Sequence, residues 1–260
     1  MGRDGNEPFL TPEEEELRSR QAELDQLEAS LYEAEVQLAT LRAELQAFEG
    51  RYLRVVGVKI AELDDIEAEI VELIARRRPQ DPDAKVAANR ARARARESSE
   101  ASAGAASREP ARFQPSAEMK QLYRDVAKRV HPDLVADPRE RSRRNALMAR
   151  ANAAYAAGDR DALATILRDA AMSAEAVQGE GVAFELVRVL RKISQVRRRL
   201  RAIEKEQTAL RESDMFRLKQ QVEEAADQGR DMLADIAAQL DTKIEGAQGR
   251  LRRLQEVQGS

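Results

Sequence analysis

Leucines recur every seven residues near the start of the chain, and this spacing constrains the fold more than any other feature of the sequence. The repeated positions are Leu17, Leu24, Leu31, Leu38 and Leu45. A second apolar set follows three residues after four of them: Leu27, Ala34, Leu41 and Phe48. Apolar residues at these two heptad positions form the seam of a coiled coil. The pattern therefore predicts an N-terminal coiled coil over residues 11–78, with a stutter or kink near Gly50–Gly57.

A second heptad pattern occupies residues 182–257 and falters at residues 211–216. Each pattern thus has a long arm, a break and a shorter arm. This match favours a chain that folds back on itself, so that long arm meets long arm in an antiparallel coiled-coil hairpin. The alternative, in which each coil pairs with another copy of the chain, stays open, and with it a homo-oligomer. The heptad residues do not fix the number of strands.

Composition agrees with an all-α protein. Charged residues make up 35% of the chain and aromatic residues 3%. We expect residues 1–10 to be a disordered N-terminus and residues 79–115 to be a flexible low-complexity linker. The alternating arginines of this linker, "RARARAR", raise the possibility of nucleic-acid binding. We do not favour it, because no aromatic residues interleave with the arginines and acidic residues follow at once.

Several chemistries are excluded by residue counts. The chain has no cysteine and one histidine, which rules out disulfides, thiolate zinc sites and histidine-rich metal sites. We therefore expect no metal and no cofactor. The N-terminal residues lack the apolar run of a signal peptide, and no segment has the roughly 20 apolar residues of a membrane span. We expect a soluble, cytoplasmic protein.

The single histidine lies in a compact segment, residues 116–171. Its first helix is predicted to begin at Ser116 and to carry one apolar face and a basic flank. That flank consists of Lys120, Arg124, Lys128 and Arg129. The tripeptide His131-Pro132-Asp133 should end the helix, because a residue before proline is pushed out of the α region. Two further helices are predicted over residues 139–157 and 161–171.

This segment resembles the J domain of the DnaJ family. The stretch "MKQLYRDVAKRVHPDL" is similar to the second helix and loop of that domain, and "ARANAAYAAGD" is similar to its third helix. The residues that carry the resemblance are Tyr123, Ala127, His131, Pro132, Asp133, Asn152, Ala154 and Tyr155. A bare HPD tripeptide has little meaning, but an HPD after a basic amphipathic helix and before an N-x-A-Y pattern is a strong signal.

The resemblance implies a co-chaperone that binds a DnaK-type chaperone of 70 kDa and stimulates its ATPase. It implies that the HPD loop and the basic flank contact the chaperone. It also implies a core that contains Leu122, Tyr123, Val126, Ala127, Asn152 and Tyr155. One departure is clear: the usual first helix of the family is missing or replaced, so Phe113, the last short helix or the flanking coil must complete the core.

Two functions follow as hypotheses. The first is a J-domain co-chaperone, not an enzyme, whose coiled coil directs it to an unknown protein partner and carries the J-like domain at its tip. The second is a structural coiled-coil scaffold in which the J-like helices are a degenerate module. A hydrolase built on His131 is disfavoured, because no nucleophile or pocket accompanies the histidine in the sequence.

Overall fold

The computed structural model describes residues 11–106, 113–135, 137–171 and 181–256, and in these ranges the protein is all-helical, without strands. The chain divides into two compact units. Of the described residues, the first contains those up to 43 and those from 113 to 212, and the second contains those from 44 to 106 and from 213 to 256. The predicted disordered N-terminus, residues 1–10, lies outside the described residues. No helix in the described ranges is long and apolar enough to cross a membrane.

Helix α1 (Pro12–Tyr52) begins at a capping box. The backbone N–H of Glu14 donates to the hydroxyl of Thr11, and the Glu14 carboxylate accepts from the backbone N–H of Thr11. A π-helical turn (Leu53–Gly57) joins α1 to helix α2 (Val58–Arg77). The predicted irregularity near Gly50–Gly57 is confirmed. A Cβ at Gly57 would lie 3.1 Å from a methyl carbon of Leu53, which favours glycine in this crowded turn.

Three helices form the C-terminal part of the chain: α7 (Val182–Glu212), α8 (Asp214–Asp227) and α9 (Met232–Glu256). The predicted break at residues 211–216 is confirmed. Ser213 separates α7 from α8 and accepts a hydrogen bond from the backbone N–H of Phe216, which caps α8.

In the first unit, α1 and α7 run in the same direction. Arg197 of α7 binds Glu23 of α1, and further along both helices Glu206 of α7 binds Arg42 of α1. The contacting residue numbers therefore increase together. Between the helices lies an apolar seam, which contains Leu24, Leu31, Leu38, Val189, Ile193, Val196 and Ile203.

The predicted antiparallel pairing is therefore wrong for α1 and α7. The long N-terminal arm of α1 packs on α7, not on the long C-terminal arm as expected. Heptad spacing defines which face of a helix is apolar, and it does not determine the direction or the identity of the partner helix.

The second unit repeats the parallel arrangement. Lys219 of α8 contacts Glu44 of α1 at 3.7 Å, and Lys59 of α2 contacts Asp241 of α9 at 2.7 Å. Further along the chain, the guanidinium of Arg77 donates to the carbonyl oxygen of Leu254. An apolar cluster centred on Phe48, Val56, Val222 and Leu233 fills the interior of this unit.

The prediction of a flexible linker over residues 79–115 needs correction. Helix α3 (Pro82–Ala106) occupies most of it and packs antiparallel on α2. Arg92 binds Glu72 and Asp65, and Arg94 binds Asp64 and Glu67. The alternating arginines are thus partners for an acidic face of α2. Low sequence complexity hid the helix because its order comes from alanine propensity and from these ion pairs, which no local apolar period reveals.

The central segment of the first unit contains α4 (Ala117–Val130), a 3-10 turn (Pro132–Leu134), α5 (Pro138–Ala157) and α6 (Arg160–Ala171). Ser116 caps α4 by accepting from the backbone N–H of Met119, and Gly158 ends α5 in the left-handed conformation with φ of 71°. These helices pack along the side of α1, against Tyr32 and Val36. The central segment therefore lies beside the coil and not at the tip of a hairpin as the sequence had suggested.

Candidate functional site: the HPD loop and its contact with the coiled coil

The HPD loop begins where α4 ends. His131 has an extended backbone, with φ of −63° and ψ of 124°, as expected for a residue before proline. Its imidazole Nδ1 accepts a hydrogen bond of 3.2 Å from the backbone N–H of Asp133. The histidine side chain therefore caps the 3-10 turn that its own loop forms.

The other ring nitrogen of His131 contacts the coiled coil. Because Nδ1 accepts from Asp133, the proton of a neutral ring lies on Nε2, which donates to Oε1 of Glu35 on α1 at 3.1 Å. The Nε group of Arg199 on α7 donates to the same carboxylate oxygen at 2.7 Å. His131 is 1% exposed and Glu35 is 4% exposed. The loop, α1 and α7 thus meet at one buried carboxylate.

The electrostatics of this cluster favour an ionised Glu35. Burial raises the pKa of Glu35, but the hydrogen bonds from His131 and Arg199 outweigh burial and leave the pKa below its usual range. Burial also lowers the pKa of Arg199, yet the bond to Glu35 and the nearby charge of Asp133 raise it overall. A negative carboxylate held between donors is the stable state of the cluster.

A second set of contacts holds α4 and α5 together behind the loop. The hydroxyl of Tyr123 on α4 donates to the side-chain carbonyl of Asn152 on α5. The rings of Tyr123 and Tyr155 lie 4.7 Å apart, and Phe113 meets Tyr155 edge-on at 5.4 Å. Burial raises the pKa of the Tyr123 phenol, so it stays protonated and able to donate.

Tyr155 also connects the central segment to α1. Thr40 uses its hydroxyl proton to donate to the carbonyl oxygen of Val36 at 2.8 Å. The hydroxyl of Tyr155 therefore donates to the oxygen of Thr40, at 2.9 Å. The predicted core residues are brought together here: Tyr123, Val126, Ala127 and Tyr155 are buried, Leu122 packs at the edge, and Asn152 accepts the bond from Tyr123.

The core is completed from outside the segment. Tyr32, Val36 and Ala39 of α1 join its apolar cluster, and Leu163 and Ile166 of α6 close another side. Phe113 packs at the edge of the cluster. The sequence suggested three sources that could complete this core. All three contribute apolar side chains to it: the flanking coil, the last short helix and Phe113.

The four predicted basic residues have different environments. Lys128 and Arg129 are exposed at the end of α4. They line a groove of about 400 Å³, and Val130, Leu134, Arg143 and Lys192 are among its other lining residues. Lys120 is half-buried on the first turns of the helix. Arg124 binds Glu33 of α1, and its second contact is Gln121 on the preceding turn of α4. Neither contact involves the loop.

Glu35 and Arg199 are not among the site residues predicted from the sequence. A usable signal was present for the first of them. Tyr32, Val36, Ala39 and Ala43 are spaced three and four apart on α1 and are separate from the leucine heptad. They predict a second packing face on the same helix. A glutamate beside such a face is a candidate for a buried partner. Arg199 is one of three consecutive arginines, and nothing local distinguishes it.

No metal site accompanies the loop: in the described ranges no group of three or more His, Asp or Glu side chains could hold an ion. No protein-family model, curated protein or solved structure matches this chain. The site is therefore interpreted from its own geometry.

Proposed function

We propose that this protein is a co-chaperone of the J-domain type, which binds a DnaK-type chaperone of 70 kDa and stimulates its ATPase. The observation that carries the proposal is the Tyr123–Asn152 hydrogen bond. It joins the two stretches of sequence that make up the resemblance, and it holds the helix before His131-Pro132-Asp133 against the helix that carries the N-x-A-Y pattern.

The exposed end of α4 supplies the electrostatic part of the interaction. Lys128 and Arg129 lie beside the loop and present positive charge to solvent. Such charges speed the encounter with an acidic surface, and salt within the physiological range weakens the effect. Arg124 is engaged with Glu33, so we assign it to positioning α4 on α1 and not to the first encounter.

The burial of His131 sets a condition on this function. Both ring nitrogens already have partners within the chain. A chaperone that contacts this imidazole must therefore meet a conformation in which Nε2 has left Glu35. The coiled coil has two roles in the proposal: α1 and α7 hold the loop, and the remaining surface directs the protein to an unknown protein partner.

The test is single-turnover ATP hydrolysis by the cognate DnaK-type chaperone, with the wild-type protein and with His131→Gln. We expect the wild type to accelerate hydrolysis and the variant to lose the acceleration. Circular dichroism of both proteins controls for folding. With both proteins folded, equal acceleration by both would overturn the proposal, and so would the absence of acceleration by either at a saturating concentration of the protein.

A structural scaffold is the second candidate, and the buried position of His131 favours it. A histidine that caps its own loop and binds Glu35 has a sufficient role in stability alone. On this account His131→Gln leaves the cellular role intact, provided the protein still folds. Complementation of a deletion strain by the variant separates the two functions.

A further inference from the structure

The contact between the HPD loop and the coiled coil has the properties of a latch. Glu35 comes from α1, Arg199 from α7 and His131 from the loop, and a single carboxylate oxygen accepts from both donors. The side chains of His131 and Glu35 are 1% and 6% exposed. The two groups that engage the Nε2 side of the site, Glu35 and Arg199, both come from the coil, so the coil covers the imidazole.

The apolar contacts of the loop also hold it on the coil. Leu134, the last residue of the 3-10 turn, packs against both apolar clusters of the first unit. One of these is the core of the central segment, and the other is the seam between α1 and α7. The loop is therefore seated on the coil by a leucine as well as by a charged hydrogen bond, and the two contacts would open together.

We propose that α1 and α7 form an autoinhibitory latch, in which Glu35 and Arg199 withhold His131 from the chaperone until the loop leaves the coil. This inference rests on the proposed function and assigns its regulation. In the latched state the Asp133 carboxylate also interacts electrostatically with Arg199, so the coil acts on both His131 and Asp133. The chaperone competes with the coil for the same groups.

Only molecules with an open latch bind the chaperone. The apparent affinity is therefore the intrinsic affinity multiplied by the open fraction. Removing the latch raises that fraction without altering the loop. Two substitutions do this from different helices. Glu35→Gln removes the negative charge that holds His131, and Arg199→Gln removes the cation that orients Glu35.

The matched control is Glu23→Gln. Glu23 also lies on α1 and also binds an arginine of α7, Arg197, but it does not contact the loop. It removes the same charge from the same helix pair. A change seen with Glu35→Gln and absent with Glu23→Gln is therefore specific to the latch.

Two readouts are combined. The first is modification of the imidazole by diethyl pyrocarbonate, followed by mass spectrometry, which needs no chaperone. Because the chain contains one histidine, the signal has one source. The second is single-turnover ATP hydrolysis by the chaperone at subsaturating co-chaperone. We expect both rates to rise on the order of tenfold in Glu35→Gln, to rise less in Arg199→Gln, and to stay within about twofold in Glu23→Gln.

The outcomes separate the latch from the proposed function. Faster modification and faster hydrolysis in Glu35→Gln support the latch. Unchanged modification overturns it. Stimulation by wild type and Glu35→Gln to the same extent overturns the latch and leaves the co-chaperone function standing. Faster modification without stimulation by any variant overturns the proposed function and, with it, the regulatory role.

Discussion

His131 donates a hydrogen bond to Glu35, a residue of the coiled coil that lies 96 positions earlier in the chain. The distance between the two side-chain atoms is 3.1 Å, and both side chains are buried. This single contact makes the coil part of the candidate site. It explains why the chain places its only histidine at the end of α4: the residue is held there from outside its own segment.

The stability that Glu35 provides should depend on pH. The pKa of Glu35 is lower in the folded protein than its ordinary value of 4.5. A carboxyl with a lowered pKa stabilises the fold above that ordinary value, and the contribution is lost as pH falls through the lower, folded value. We expect the difference in unfolding free energy between wild type and Glu35→Gln to shrink as pH falls below about 4.5.

Urea unfolding at a series of pH values measures this difference. Tyrosine fluorescence is a suitable signal, because Tyr32, Tyr123 and Tyr155 lie in the first unit and only Tyr52 lies in the second. The groups that interact with Glu35, which are His131, Arg199 and Tyr123, are all present in the variant. A difference that grows as pH falls would contradict the assignment.

The parallel direction of α1 and α7 can be tested by chemical cross-linking. The natural sequence has no cysteine, so introduced cysteines react alone. We expect the pair Glu23→Cys and Arg197→Cys to be joined within the monomer by a short bismaleimide, since these positions face each other. The pair Glu23→Cys and Glu206→Cys is the control, because Glu206 faces Arg42 instead. Efficient cross-linking of the control pair alone would indicate that α1 and α7 are antiparallel.

The hydrogen bond between Tyr155 and Thr40 should contribute to holding the central helices on α1. Removing the phenol by Tyr155→Phe keeps the ring stacking with Tyr123 and loses the bond to Thr40. We expect a loss of about 1 kcal/mol in unfolding free energy, the usual net value of such a bond. Thr40→Val should cost a similar amount, and the double variant should cost less than the sum of the two. Strict additivity would show that the two hydroxyls do not interact.

Helix α3 provides a further test, since the sequence did not predict its packing. Arg94 binds Asp64, whose side chain is buried, so Arg94→Gln leaves a buried carboxylate without this partner. We expect a loss of about 1–3 kcal/mol. Arg96→Gln, an exposed arginine two residues away, is the matched control and should change the unfolding free energy by less than about 0.5 kcal/mol. Equal effects would mean that α3 is held by general charge and not by these pairs.

Sequence patterns predicted the local structure well. The helix starts at Thr11 and Ser116, the break near Gly57 and the stop before Pro132 depend on capping, on glycine and on proline, all of which act within a few residues. The core implied by the resemblance included both Tyr123 and Asn152, and these two side chains form a hydrogen bond.

Long-range features were not predictable in the same way. The direction of the α1–α7 pair depends on how the intervening chain returns, which heptads do not encode. Helix α3 depends on arginines that find acids on α2. Glu35 lies beside the second apolar face of α1, but no local pattern indicates that this face meets the HPD loop. In each case the structure depends on a contact between residues that are far apart in the chain.

The most direct test of the account is a double-mutant cycle on His131 and Glu35. The four proteins are wild type, His131→Gln, Glu35→Gln and the double variant, and the measured quantity is the free energy of unfolding in urea at neutral pH. A buried, charge-assisted hydrogen bond predicts a coupling energy of about 1–3 kcal/mol between the two positions. A coupling near zero in proteins that all fold would contradict the contact, and with it the view that the coil holds the HPD loop.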